Sequence, residues 1–148
     1  MQRDGIDPDD FTLGSVISSC ANLASLEEGA QFHCLALVSG LMPYITVSNA
    51  LVTLYGKCGS IDDAHRLFDE MTFHDQVSWT ALVSGYAQFG KAKETIDLFE
   101  KMLSKGVKPD GVTFIGVLSA CSRAGFVEKG RSYFYSMHKD HAWYIFCP

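Results

Sequence analysis

Residues 10–44, 45–75 and 76–110 are three versions of one pattern, and a fourth begins at 111. The offsets between them are 35, 31 and 35 residues. Aligned this way, Leu51-Val52 falls on Leu82-Val83, on Val117-Leu118 and, upstream, on Val16-Ile17. Phe68, Phe99 and Phe134 share a position, as do Met71, Met102 and Met137, while Gly59, Gly90 and Gly125 mark a turn midway through their units. Asp9, Asp75 and Asp110 each precede a new unit. Self-similarity with this period is the signature of a solenoid. Such a chain has no single core, because each unit buries its apolar face only against its neighbours.

Each unit reads as two helices joined at the turn. In the second, Val47, Leu51, Leu54 and Tyr55 recur at three- and four-residue spacings, which places one apolar stripe on a helix of about three turns. Gly59 breaks it. Ser60 then stands at an N-cap position with Asp63 three residues on, and Ala64, Leu67, Phe68 and Met71 form the next stripe. The third unit repeats the scheme, with a first helix over 77–87 and a second over 92–103 closed by Gly106 and Pro109. Small residues also hold register: Ser15, Ala50, Ala81 and Gly116 in the first helix, Gly29, Ala64, Thr95 and Gly130 in the second. Bulk there would keep the helices apart. His33 aligns with Phe68 and is expected to pack.

Five cysteines, Cys20, Cys34, Cys58, Cys121 and Cys147, form no C-x-x-C pair, which argues against a disulfide framework or a zinc ribbon and for a reducing compartment. Cys20 and Cys121 take the place of Tyr55 and Tyr86 and read as buried small hydrophobes. His138, His141 and Cys147 have only loose metal-like spacing, and no metal or cofactor is expected. No signal peptide is apparent and no apolar run approaches the roughly 20 residues that cross a bilayer, so a soluble chain that needs no membrane is predicted. No nucleophile and base can be paired, and the H-x-E and P-C-x-x-C elements of a zinc deaminase are missing, so no catalytic residue is assigned and an enzyme is disfavoured.

At these boundaries the chain resembles the plant pentatricopeptide repeat family, and its alternating unit lengths resemble the subclass built from P, L and S repeats. Residues 10–44 look like an L-type unit with Leu26-Glu27-Glu28-Gly29 opening the second helix. Residues 45–75 look like an S-type unit carrying Ser48-Asn49-Ala50-Leu51-Val52, Tyr55-Gly56-Lys57-Cys58-Gly59-Ser60 and Phe68-Asp69-Glu70-Met71. Residues 76–110 look like a P-type unit carrying Val77-Ser78-Trp79, Ser84-Gly85-Tyr86-Ala87-Gln88 and Gly106-Val107-Lys108-Pro109-Asp110. An incomplete L-type unit follows over 111–140, residues 1–9 look like the tail of a preceding repeat, and 141–148 form a divergent tail. The resemblance implies an all-α fold, a right-handed superhelical solenoid of helix-turn-helix repeats.

It also implies sequence-specific binding of single-stranded RNA, one base per repeat. In such proteins the fifth and last residues of a unit discriminate the base, and the second residues of successive units sandwich it. Asn49 with Asp75 corresponds to a pair that favours uracil, and Thr80 with Asp110 to one that favours guanine, so 5′-UG-3′ is expected centrally. Thr46, Val77 and Val112 would form the sandwich. Gly14 with Tyr44 forms no standard pair and Ile115 cannot hydrogen-bond, so the L-type units are expected to act as spacers or read weakly. At the thirteenth position Lys57 and Arg123 are candidates for phosphate contact, with Asn22 and Gln88 as neutral equivalents.

The implied role is recognition within an organellar RNA-processing factor, with cytidine-to-uridine editing as the favoured process, editing proteins as further partners and no small-molecule substrate. The address would be mitochondrion or chloroplast, although no transit peptide is present. A net charge of −5 runs against a nucleic-acid footprint. Acidic residues at helix starts, such as Glu27, Glu28, Asp62, Asp63 and Glu94, account for much of it by complementing helix N-termini. The rival is a protein-binding scaffold of tetratricopeptide type, which fits the acidity but predicts units of about 34 residues. A further alternative is a nonfunctional truncated fragment. The residues from His141 onward match nothing in the family pattern, which suggests an altered reading frame near Asp140.

Overall fold

The computed structural model describes residues 9–141, with side chains described to residue 137. Among these there are eight helices and no strand: α1 (Asp10–Asn22), α2 (Leu26–Ser39), α3 (Ile45–Lys57), α4 (Ile61–Glu70), α5 (Gln76–Gln88), α6 (Ala92–Ser104), α7 (Gly111–Ala124) and α8 (Val127–His141). The first helices α1, α3, α5 and α7 pack side by side as one continuous layer. The second helices α2, α4, α6 and α8 form an outer layer, each lying against first helices rather than against one another. The chain is an all-α solenoid.

The apolar stripes meet between the layers. Leu13, Ile17, Val47, Leu51, Leu54, Leu82, Val83 and Val117 of the first helices are buried with Leu67, Phe68, Phe99 and Met102 of the second. Each such aliphatic side chain contributes about 1.5–3 kcal/mol by leaving water. Aromatic rings stitch successive units together. Phe68 meets Trp79 edge to face at 4.8 Å, and Phe99 meets Phe114 at 5.5 Å and Tyr133 at 4.9 Å. Phe134 departs from its aligned partners and is 43 % exposed, whereas Tyr133 is buried like its aligned Leu67 and Leu98. Cys20 and Cys121 are buried as expected. The described cysteines are free thiols, and burial pushes Cys58 and Cys121 up in pKa.

Two local expectations are corrected, and a third is refined. Ser60 does occupy the N-cap of α4, but its side chain makes no capping hydrogen bond, because ψ of 63° departs from the extended backbone that Asp75 and Asp110 adopt as caps. Met71 lies just beyond α4 with extended backbone rather than within the helix. His33 packs as expected, half-buried and edge to face with Tyr55 at 5.6 Å, and its Nδ1 also lies 2.8 Å from the Tyr55 hydroxyl. Desolvation holds the His33 pKa below the usual value, against the opposing pull of Glu70 and Asp63. His65 makes the matching contact with Tyr86, at 2.6 Å.

Close approach explains the small residues. A Cβ on Gly29 would stand 2.4 Å from Leu54 Cδ2, and Gly56 and Gly85 bring α3 and α5 nearly backbone to backbone, a Cβ on Gly85 lying 3.3 Å from Gly56 Cα. Midway turns run through left-handed glycines, Gly59, Gly90 and Gly125. In the first unit the same place holds Ala24, with φ of +52°. The tail 142–148 and residues 1–8 lie outside the described residues, and so do the side chains of His138 and His141; the expectations made for them go no further here.

Candidate nucleic-acid interface

The second residue of each first helix points out of the layer. Phe11, Val77 and Val112 are 73 %, 55 % and 58 % exposed, and Thr46 is exposed too. Large apolar side chains held in water at one register position, while their neighbours are buried, form a built surface rather than a core remnant. Between Val77 and Val112 lies a cleft of ≈ 270 Å³, lined also by Thr80, Asp110 and Lys57. The five residues named separately from sequence for wall, readout and phosphate thus line one cavity.

Behind it the polar groups are wired in a repeating manner. Asp75 and Asp110 are N-caps of α5 and α7, and each Oδ1 accepts from the backbone N–H three residues on, Ser78 and Thr113, both at 2.9 Å. The Thr113 hydroxyl donates to the same Asp110 oxygen at 2.9 Å. With its only proton so used, Thr113 must accept from Thr80, whose Oγ1 is 2.9 Å away. Thr80 therefore keeps lone pairs to offer outward.

In the preceding unit Ser78 plays the part of Thr113. Asp75 Oδ1 accepts from Asn49 Nδ2 at 3.1 Å, and the one Ser78 hydroxyl proton lies between Asn49 Oδ1 at 2.5 Å and Asp75 Oδ1 at 3.0 Å, with the nearer Asn49 oxygen accepting it. Asp75 N–H donates back to Ser78 Oγ at 3.2 Å, completing a capping box. Burial raises the Asp75 pKa, but the donors from Ser78, Asn49 and the Val77 backbone outweigh it and hold the carboxyl below its usual range. Asn49 is 8 % exposed, with its carbonyl consumed and one amide hydrogen committed to Asp75. The other amide hydrogen remains to donate.

Sequence reasoning missed Ser78 and Thr113. The signal was there: both are the third residue of a first helix, three after a capping Asp, and both are fully buried polar residues.

Profiles of this repeat account for most of the chain, the "PPR repeat" description matching residues 46–74 and 112–141 and the "PPR repeat family" description matching residues 74–123. The chain belongs to the pentatricopeptide repeat family. A pentatricopeptide repeat-containing protein of Arabidopsis thaliana is 67 % identical over 141 residues, covering 95 % of this chain and 19 % of its own length. Two others from Arabidopsis, one named mitochondrial and one, CRR2, named chloroplastic, are 44 % and 45 % identical, covering 91 % and 90 % of this chain and 18 % and 20 % of theirs. The chain thus spans about a fifth of the length of these curated relatives. Among solved structures, the maize pentatricopeptide repeat protein PPR10 superposes over 94 % of this chain and 20 % of its own, with a TM-score of 0.69 and 30 % identity. PPR10 in complex with an 18-nucleotide RNA element superposes over 95 % of this chain and 21 % of its own, with a TM-score of 0.81 and 22 % identity.

Charge on this pentatricopeptide repeat chain is divided between layers. Within α1, α3, α5 and α7 the charged residues are Asp10, Lys57 and Arg123, whereas Glu27, Glu28, Asp62, Asp63, Asp69, Glu70, Glu94, Asp97, Glu100 and Glu128 all lie on second helices. The net charge of −5 therefore describes mainly the outer layer. Lys57 Nζ donates to Asn22 Oδ1 at 2.9 Å, linking thirteenth residues of adjacent units, and Arg123 Nη1 donates to the Ala87 carbonyl at 3.0 Å. Each cation keeps further N–H donors after these bonds.

The first unit offers less chemistry. Gly14 is buried against Thr46 and Tyr44 caps α3 without a side-chain bond, while in the fourth unit Ile115 is 57 % exposed.

Proposed function

We propose that this segment binds single-stranded RNA in a sequence-specific manner, one base per repeat, as part of an organellar RNA-processing factor. The observation that carries the reading is the cleft between Val77 and Val112, with Thr80 and Asp110 behind it and Lys57 at its rim. Two flat-sided apolar walls suit the faces of a base, and van der Waals contact is their part. PPR10, which shares the fold, has been solved with an RNA element, and relatives named mitochondrial and chloroplastic support the organellar setting.

The hydrogen-bond wiring supplies a base preference for each unit. Asn49 has a donor left over, and Asp75 takes its side-chain donors on Oδ1, leaving Oδ2 to accept. A donor beside an acceptor complements uracil, whose pairing edge carries a carbonyl beside an N–H. At Thr80 and Asp110 only acceptors face outward, which suits guanine, whose pairing edge is rich in N–H groups. The central step read is 5′-UG-3′. The units at 10–44 and 111–140 read as L-type spacers, flanking an S-type unit at 45–75 and a P-type unit at 76–110. Site recognition for cytidine-to-uridine editing, together with editing partner proteins, fits this subclass; no chemical step is assigned to these residues. The acidity that favours a tetratricopeptide-type scaffold sits on the outer layer, away from the reading face.

Two coded bases at about 1–3 kcal/mol each give weak binding alone, so affinity comes from a longer array. The test places the segment between neutral capping repeats and measures binding to short RNAs carrying UG, UA, CG or scrambled central steps at fixed low salt. UG is expected to bind best, and Asp110→Asn is expected to shift preference toward UA, because an amide supplies the donor that adenine's ring nitrogen accepts. Equal binding to all four RNAs with helicity intact would refute the reading.

A further inference from the structure

The second helices do not pack on one another, and α4 is the shortest of them, ten residues against fourteen in α2. A groove is left between α2 and α4. It holds two adjoining hollows of ≈ 290 and ≈ 340 Å³, which share Leu37, Met42, Leu67 and Glu70 as lining. Phe73 closes one end of the first hollow, and Asp63 with Arg66 edges the second. Apolar side chains here stand in water without cover: Leu37 is 59 % exposed and Phe73 is 66 % exposed. Its net charge is negative. Arg66 is ion-paired to Asp63 within α4 and the two cancel, which leaves Glu70, a lining residue of both hollows with no ion pair among the described residues, as the uncompensated charge.

We infer that this groove is a docking site for a basic amphipathic helix of a protein partner, one that inserts two large aliphatic side chains a turn apart and sets Lys or Arg against Glu70 and its neighbours. The hollows adjoin and share Leu37, Met42 and Leu67, which suits successive apolar anchors on one face of an inserted helix. Glu70, which lines both hollows, repels phosphate, and charge complementarity selects a cationic partner. The reading face on the first helices and this groove on the second helices therefore take ligands of opposite charge.

The test uses the full chain and fluorescein-labelled helical peptides: one with two leucines four apart flanked by lysines, one with glutamates for the lysines, and one with alanines for the leucines. The lysine peptide is expected to bind saturably, about tenfold or more tighter than either control. Glu70→Lys should lessen that preference, and Leu37→Asp or Phe73→Asp should abolish binding; both latter positions are exposed and lie on different elements, and circular dichroism checks the fold of each variant. Indifference to peptide charge, or full binding by both aspartate variants when folded, overturns the proposal. Concentration-dependent self-association that Leu37→Asp removes would overturn it as well, by assigning the groove to a second copy of the chain.

Discussion

Replacing Ser78 by Ala removes a hydroxyl that never meets solvent yet ties three residues together. Its one proton goes to Asn49 Oδ1 at 2.5 Å, with Asp75 Oδ1 farther off at 3.0 Å, and it accepts from the Asp75 N–H at 3.2 Å. Its own burial is complete, and Asn49 is 8 % exposed, so water cannot readily substitute. A net hydrogen bond is worth about 1 kcal/mol, and leaving the Asn49 carbonyl buried without a donor costs about 1–3 kcal/mol more. The expected loss is about 2–4 kcal/mol in urea unfolding followed by circular dichroism. Asp75 still caps α5 through the Ser78 backbone N–H, so helix content should hold in the absence of denaturant. Freed from Ser78, the Asn49 amide can turn, and the uracil preference at that unit should fall while the guanine preference one unit on persists. Ser78→Thr should behave nearly as the parent, because Thr113 already fills the equivalent place. A Ser78→Ala protein that loses under 0.5 kcal/mol and keeps its uracil preference would refute the argument.

Other outcomes follow from single contacts. Lys57→Ala should weaken RNA binding evenly across sequences and make the log–log salt dependence shallower by about 0.7, as one phosphate contact on a single strand requires; an unchanged slope would place Lys57 outside the interface. Ala24→Gly should stabilise the chain by about 1 kcal/mol in thermal or urea melts, since φ of +52° strains a residue with a Cβ. Gly29→Ala should cost about 1–2 kcal/mol relative to Gly130→Ala, because its Cβ would meet the fully buried Leu54 at 2.4 Å whereas that of Gly130 meets Cys121 Cβ at 3.3 Å. Identical melts for those two variants would count against the packing argument.

The fold was readable because repetition averages out local ambiguity. One unit of thirty-odd residues might be any helical hairpin, but the same apolar spacing four times over fixes helix number, turn position and the face that is buried. Failures came where residue type was read without the backbone angle or the neighbouring unit. Ser60 looks like a cap, yet backbone angle rather than side-chain type decides whether a hydroxyl can reach the N–H groups. His33 packs as its alignment with Phe68 suggests, but its pairing with the Tyr55 hydroxyl was not foreseen, since a ring nitrogen also needs a polar partner. In the candidate site the positions proposed to contact RNA, buried Asn49 among them, were named from register alone. The buried hydroxyls of Ser78 and Thr113 were not, because a Ser or Thr after an Asp cap reads equally well as ordinary helix start, and only three-dimensional proximity joins it to the preceding unit's fifth residue.

The unequal packing of the two layers gives the array a mechanical character. Gly56 and Gly85 let α3 and α5 touch almost without side chains between them, so little interdigitation resists a small rotation about that line. On the outside, α4 shares no comparable contact with α2 or α6 to hold it. A structure with a continuous spine and separated ribs flexes about the spine, and the gaps between ribs widen or narrow as it does. Drawing the Val77 and Val112 walls around a base would change the spacing of the ribs behind them.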